Sequence, residues 1–218
     1  MSTRQLTTLS MMAAVAIMIS FFSIPVMPPP ATFLRYDPKD VIIVIGGFMF
    51  GPFAVVMLAA VTSLVEMVTI SESGIWGFLM NFLSSSAFAV PAAYLYKKYR
   101  TLMGAVVGLL VGIACVIPVM LLWNFIMVPI YTGMPREVVA TWLVPIFLPF
   151  NAIKYGLNAA IAMLVYKPVV TVLTSAGLYR DKRDTGARSA RLYMGVVAAA
   201  VFIIVSLVLV ILILQGVL

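Results

Sequence analysis

The chain has no histidine, a single cysteine and only 7 acidic residues among 218. Without histidine, a Ser-His-Asp triad, an imidazole metal site and an imidazole proton relay are all excluded. Cys115 stands alone, so no internal disulfide forms, and its apolar surroundings make it a packing thiol. No G-x-x-x-x-G-K-[ST] loop occurs, so the chain does not itself hydrolyse a nucleotide through a Walker site. A carboxylate pair for acid–base work would have to come from loops. Together these absences argue against an enzyme.

What is abundant is apolar surface: 64% hydrophobic residues, 10% charged residues and a mean hydropathy of +1.16. That balance is far from a soluble domain and predicts an all-α membrane protein. Apolar runs lie at 7–27, 41–51, 53–70, 76–96, 102–128, 142–166 and 193–214. A spanning helix needs about 20 residues at 1.5 Å each. The second run is too short, and Gly51-Pro52 separates it from the third. The two are expected to form a thin hairpin of tilted helices, unless the second begins earlier, near Tyr36. The first run has no A-x-A-like cleavage site and reads as a permanent helix.

The formal charge of +7 does not form a nucleic-acid patch, because the basic residues sit between the apolar runs. With the N-terminus in the cytoplasm, inner loops hold Arg4, Lys97, Lys98, Arg100, Lys167, Arg180, Lys182, Arg183, Arg188 and Arg191. Outer loops hold Arg35, Lys39 and Arg136, and Lys154 remains within the membrane. The asymmetry favours this orientation and places the C-terminus outside.

Three units follow: a bundle at 1–170, a basic cytoplasmic linker at 171–192 and a further transmembrane helix at 193–218. That last helix carries no buried charge and reads as a peripheral anchor facing lipid. The external loop through Met27-Pro28-Pro29-Pro30 is stiff. It leads to Asp37-Pro38-Lys39-Asp40, where an aspartate caps the next helix. This loop and the one from Thr69 to Trp76, containing Ser71-Glu72-Ser73-Gly74, both read as structured for capture, with a solvated connector and a simple turn as the alternatives.

Polar side chains inside spanning runs are the candidates for function. A lysine at mid-bilayer costs roughly 2.5–3.5 kcal/mol on insertion scales, so it is kept where it faces a partner or a cavity. On the sixth run Asn151, Lys154 and Asn158 recur at i, i+3 and i+7, one face of a helix. Pro145 and Pro149 predict that this helix begins near Phe150, which would put Asn151 and Lys154 beside free backbone N–H groups. Asn124 adds an amide from the fifth run, and Asn81 could join from the fourth. Trp123, Phe125, Tyr131, Trp142 and Phe150 would supply walls for a flat molecule with polar edges. The competing reading is that the asparagines merely fasten helices and that Lys154 pairs with Glu66 or snorkels to the surface. Ser84-Ser85-Ser86 fits ordinary small-residue packing. Ser10 and Ala14 on the first helix form a small-xxx-small pair suited to close approach by another helix.

These residues carry a resemblance. Phe33 to Val41, Gly46-Gly47-Phe48-Met49-Phe50-Gly51-Pro52, Trp123-Asn124 through Tyr131, and Pro149-Phe150-Asn151-Ala152-Ile153-Lys154 resemble the S-components of energy-coupling factor (ECF) vitamin transporters. The riboflavin-binding RibU type is the most similar, over about Thr8 to Lys167. The resemblance implies a six-helix bundle here followed by a seventh helix, with no cofactor and a vitamin as transported ligand. Asn124, Asn151 and Lys154 would contact the flavin, with Asn81 and Asp37 as further substrate-binding candidates beneath the first external loop. It also implies a multi-pass plasma-membrane subunit with a transmembrane coupling subunit, contacted at Ser10 and Ala14, and separate ATPase subunits as partners. Glu66 departs from the lysine or asparagine expected there, so pantothenate or cobalamin remains an alternative to riboflavin. A non-transporting scaffold is the alternative of another class.

Overall fold

The computed structural model describes residues 2–29, 31–70, 73–178 and 188–217. Pro30, Ser71, Glu72 and the 179–187 part of the basic linker lie outside the described residues. Each apolar run yields a helix, although the first ends at Ser20 and leaves 21–27 to the connection that follows: α1 Thr3–Ser20, α2 Lys39–Phe50, α3 Pro52–Thr69, α4 Gly74–Tyr99, α5 Leu102–Thr132, α6 Arg136–Ser175 and α7 Arg188–Leu214. Helices satisfy their own backbone groups, which hydrocarbon cannot do. By length and composition α3 to α7 can each cross a bilayer.

The 12 residues of α2 extend about 18 Å, too short to cross. Instead α2 occupies the middle of the bundle, packed by α1, α3, α4 and α6. Accordingly it is buried along nearly its whole length, from Lys39 to Met49. It begins at Lys39 rather than Tyr36. Gly51, at φ +96°, makes the reversal into α3, and Pro52 takes the first turn of that helix.

Helices α4 and α5 approach closely at glycines. A β-carbon on Gly112 would lie 2.2 Å from the Phe88 carbonyl oxygen, and one on Gly108 would lie 2.7 Å from that of Ala92. Backbone cannot yield as a side chain would. Gly112→Val should therefore destabilise the bundle by about 1–3 kcal/mol, read as a lower thermal midpoint in detergent; an unchanged midpoint would contradict the tight crossing.

The expected start of the sixth helix is corrected. α6 does not begin near Phe150 but runs continuously from Arg136, passing Pro145 and Pro149 through a π-helical turn at Leu143–Phe147. There Leu148 N–H donates to the Leu143 carbonyl, five residues back. The wider turn accommodates proline without ending the helix. Asn151 and Lys154 are thus interior helical residues, with no free N–H groups beside them. Pro129 likewise lies inside α5, which continues to Thr132.

Between α1 and α2 the chain forms a short antiparallel hairpin, β1 Ile24–Pro25 and β2 Arg35–Tyr36, with Pro25 opposite Arg35. Arg35 ties its base, donating through Nε to Ser23 Oγ at 3.0 Å and through Nη2 to the Ser23 carbonyl at 2.5 Å. The Val26 N–H reaches the Leu34 carbonyl at 3.1 Å. Beneath the hairpin an apolar cluster joins Val26, Met27, Leu34 and Tyr36 to Val128, Phe147 and Phe150.

Candidate ligand-binding site

Below the hairpin lies a cavity of about 840 Å³, within the range of small-molecule sites. All five substrate-binding candidates line it: Asp37, Asn81, Asn124, Asn151 and Lys154. They come from the end of the hairpin, α4, α5 and α6. Further walls come from α1 through Ser20, from α3 through Glu66 and from the hairpin through Pro25, Phe33 and Arg35. The site is therefore broader than the fifth and sixth helices alone.

Two kinds of polar group meet here. One kind has partners within the protein. Lys39, only 1% exposed, forms ion pairs with Asp37 at 2.9 Å and with Glu66. Glu66 also accepts from Ser20 Oγ at 2.6 Å and from Asn81 Nδ2 at 2.9 Å. Asp40 accepts from Ser85 Oγ at 2.5 Å and from Asn158 Nδ2 at 3.4 Å, and Tyr36 donates its hydroxyl to Asn158 Oδ1 at 3.0 Å. Burial would raise the Asp37 carboxyl, but the Lys39 and then Lys154 charges and the Lys39 N–H, 2.9 Å away, outweigh it and hold the pKa below the ordinary value. Burial, then Asp40 and Asp37, push the Tyr36 hydroxyl above its usual pKa, so it stays protonated and able to donate.

The other kind is unsatisfied. Asn124 is 3% exposed, lines the cavity and makes no side-chain hydrogen bond among the described residues. Asn151 donates Nδ2 to the Phe147 carbonyl at 2.7 Å, which leaves its side-chain oxygen without a partner among the described residues. Lys154, 8% exposed, forms no hydrogen bond or close ion pair among them, although its charge acts on Asp37 and Asp40; the Tyr155 ring centroid lies 5.6 Å from its Nζ. Buried polar groups are normally paired, because leaving one unpaired costs about 1–3 kcal/mol, more when charged. Groups left open on one cavity are poised for a ligand.

Several expectations are corrected. Lys154 does not pair with Glu66, which Lys39 already neutralises. Lys39, counted above among outer-loop cations, is instead the buried centre of an ion-pair network. Asn158 shares a helix face with Asn151 and Lys154 but lies deeper, fastening α6 to β2 and α2. Of the aromatic walls, Tyr131 and Phe150 line the cavity, whereas Trp123, Phe125 and Trp142 do not; Phe21, Phe33, Trp76 and Tyr155 take their place. Only the helix-facing geometry separates these sets. Within the serine triplet, Ser84 lines the cavity and Ser85 bonds Asp40. Ser20 carries no signal in the sequence, since serine near a helix end is ordinary, and Arg35 figures there only as an outer-loop cation within the resembling Phe33 to Val41 stretch. Ser10 and Ala14 are exposed on α1, away from the cavity.

A helical membrane bundle that encloses unpaired amides and an ammonium group is a small-molecule binding subunit. The family described as "ECF transporter, substrate-specific component" matches residues 4–166, and the chain belongs to it. It is a multi-pass membrane protein and a binding component, not an enzyme. Among curated relatives, "Riboflavin transporter RibU" of Staphylococcus aureus (strain TCH60) is 30% identical over 179 residues, covering 78% of this chain and 92% of that protein. "Riboflavin transporter FmnP" of Bacillus subtilis (strain 168) is 27% identical over 191 residues, covering 82% of this chain and 100% of that protein. A solved structure described as "Structure and mechanism of the S component of a bacterial ECF transporter" superposes with a TM-score of 0.67. It is 27% identical and covers 78% of this chain and 96% of its own. α7 lies beyond the matched family region.

Proposed function

We propose that this subunit captures riboflavin, with Asn124, Asn151 and Lys154 as the principal contacts and Asn81 and Asp37 on the opposing polar wall. The observation that carries the reading is the group of unpaired side chains on one enclosed, aromatic-walled cavity. Riboflavin offers a flat tricyclic ring whose edge alternates carbonyl acceptors, ring nitrogens and an imide N–H, plus a polyhydroxyl tail. The asparagine amides both donate and accept, and the lysine donates to an acceptor edge. Ser20, Glu66 and Asn81 suit hydroxyl groups. Relatives named as riboflavin transporters support the choice of vitamin.

The scaffold alternative fits Asn158, which does fasten elements, but not Asn124 or Lys154, whose side chains make no hydrogen bond to another element among the described residues. In this reading the N-terminus is cytoplasmic, the C-terminus outside and the cavity opens outward. The exposed Ser10 and Ala14 face of α1 meets a transmembrane coupling subunit, which links it to the ATPase subunits.

The test is a titration of purified protein against riboflavin, pantothenate and cobalamin, following quenching of flavin fluorescence or competition for it. Riboflavin is expected to bind tightest. Asn124→Ala should weaken it by roughly two- to tenfold, the worth of one net hydrogen bond. Tighter binding of another vitamin, or of none, would remove the riboflavin reading.

A further inference from the structure

The helix α7 does more than sit in lipid. One face is seated along α6. Ala200 and Ile211 are buried, and a β-carbon on Gly156 would lie 3.1 Å from Leu207. At one end the Tyr193 hydroxyl lies 3.5 Å from the Leu164 carbonyl, with Lys167 Nζ 4.6 Å from the Tyr193 ring centroid. At the other end, Ile211 enters the apolar cluster beneath the hairpin, beside Val26, Met27, Leu34 and Tyr36.

The helix then ends in a defined way. Gly216 adopts φ +71°, Gly216 N–H reaches the Ile213 carbonyl at 3.0 Å, and Val217 N–H reaches that of Leu212 at 3.0 Å. This left-handed closure satisfies the last carbonyls of the helix just after Gln215. Gln215 itself donates Nε2 to the Pro25 carbonyl at 2.9 Å. Pro25 belongs to β1, pairs with Arg35 and lines the cavity. The hairpin's other described tethers, Arg35 to Ser23 and Tyr36 to Asn158, lie within the region matched by the family. The Gln215 tether is contributed from outside it.

We infer that Gln215 is a positioning residue for ligand retention: through its hydrogen bond to Pro25, α7 straps the hairpin over the cavity and slows ligand escape. This rests on the reading of the cavity as a riboflavin site. A lipid anchor alone needs no donor at this position. The strap needs one, because a carbonyl can only accept.

The chemistry of the donor supplies the test in the full-length chain. Gln215→Ala removes the side chain, Gln215→Glu keeps its length but replaces the donor by a carboxylate, and Gln215→Lys keeps a donor. Two readouts are taken: the rate of riboflavin dissociation, and hydrogen exchange of the 23–36 amides without ligand. The alanine and glutamate variants should release riboflavin roughly two- to tenfold faster and exchange faster in the hairpin, with unchanged thermal midpoints. The lysine variant should restore both readouts most of the way to the unaltered protein. Unchanged release and exchange in Gln215→Glu would overturn the strap, as would equal effects in the glutamate and lysine variants. Should the unaltered chain bind no riboflavin, the vitamin reading falls and hairpin exchange alone decides the strap: protection lost in Gln215→Glu and regained in Gln215→Lys upholds it, and any other pattern overturns it.

Discussion

Lys154→Met is expected to weaken riboflavin binding by about ten- to 150-fold, the worth of a hydrogen bond from a charged donor at roughly 1.5–3 kcal/mol. The fold should survive, because Lys154 makes no ion pair among the described residues that its loss would break. Methionine keeps the length and apolar stem of the side chain while removing an ammonium group that, without ligand, lies buried and open. The variant should melt close to the unaltered protein and slightly below it, because Asp37 and Asp40 lose the favourable Lys154 charge nearby, and ligand should raise its melting temperature less. Unchanged affinity in an equilibrium titration would remove Lys154 from the site. A large loss of thermal stability without ligand would give it a structural role instead.

Lys39→Met should have the opposite profile, with stability hit first. It would leave Asp37 and Glu66 without their shared cation in a site where Lys39 is 1% exposed. Removing one member of a buried charge cluster costs about 3–5 kcal/mol, because the remaining charges lose their compensation. The variant should unfold at markedly lower temperature or denaturant concentration. Combining Lys39→Met with Glu66→Leu should recover part of the loss, since an apolar pair replaces an ionic one and Asp37 and Asp40 are left with the Lys154 charge alone. A strictly additive double mutant, or no loss for Lys39→Met alone, would show that the network contributes little. The pair of experiments separates two lysines that look equally out of place in an apolar chain. One is paired to two carboxylates, and the other is the proposed ligand contact.

The difference between those lysines was not legible from the sequence. Lys39 follows Pro38 at the edge of an apolar run, where an outer-loop cation is the natural reading, and nothing local indicates Glu66, 27 residues away, as its partner. Glu66 stands out in the sequence as a possible partner of Lys154 and as a departure from the resembled pattern; its neutralisation by Lys39 instead follows from the central placement of α2 between α1, α3, α4 and α6. The bond from Tyr36 to Asn158 spans 122 residues. The start of α6 was misplaced for a different reason: a proline rule suited to a single α-helical ladder does not foresee a π turn that takes up the strain. The aromatic walls were selected by nearness along the chain, yet the cavity draws on Phe33 and Trp76, from the hairpin and α4.

Hydropathy and chain order alone dictated the membrane environment, the succession of helices and the short second segment, because each depends on transfer of a local stretch out of water. They also singled out Asn124, Asn151 and Lys154, because a polar group in hydrocarbon is costly wherever its partner lies. Which polar groups are quenched by protein and which stay open is a matter of pairing across distant segments. That was settled when α2 was drawn into the middle of the bundle and the hairpin folded across it, placing Lys39 beside Glu66 and leaving Lys154 facing the hollow.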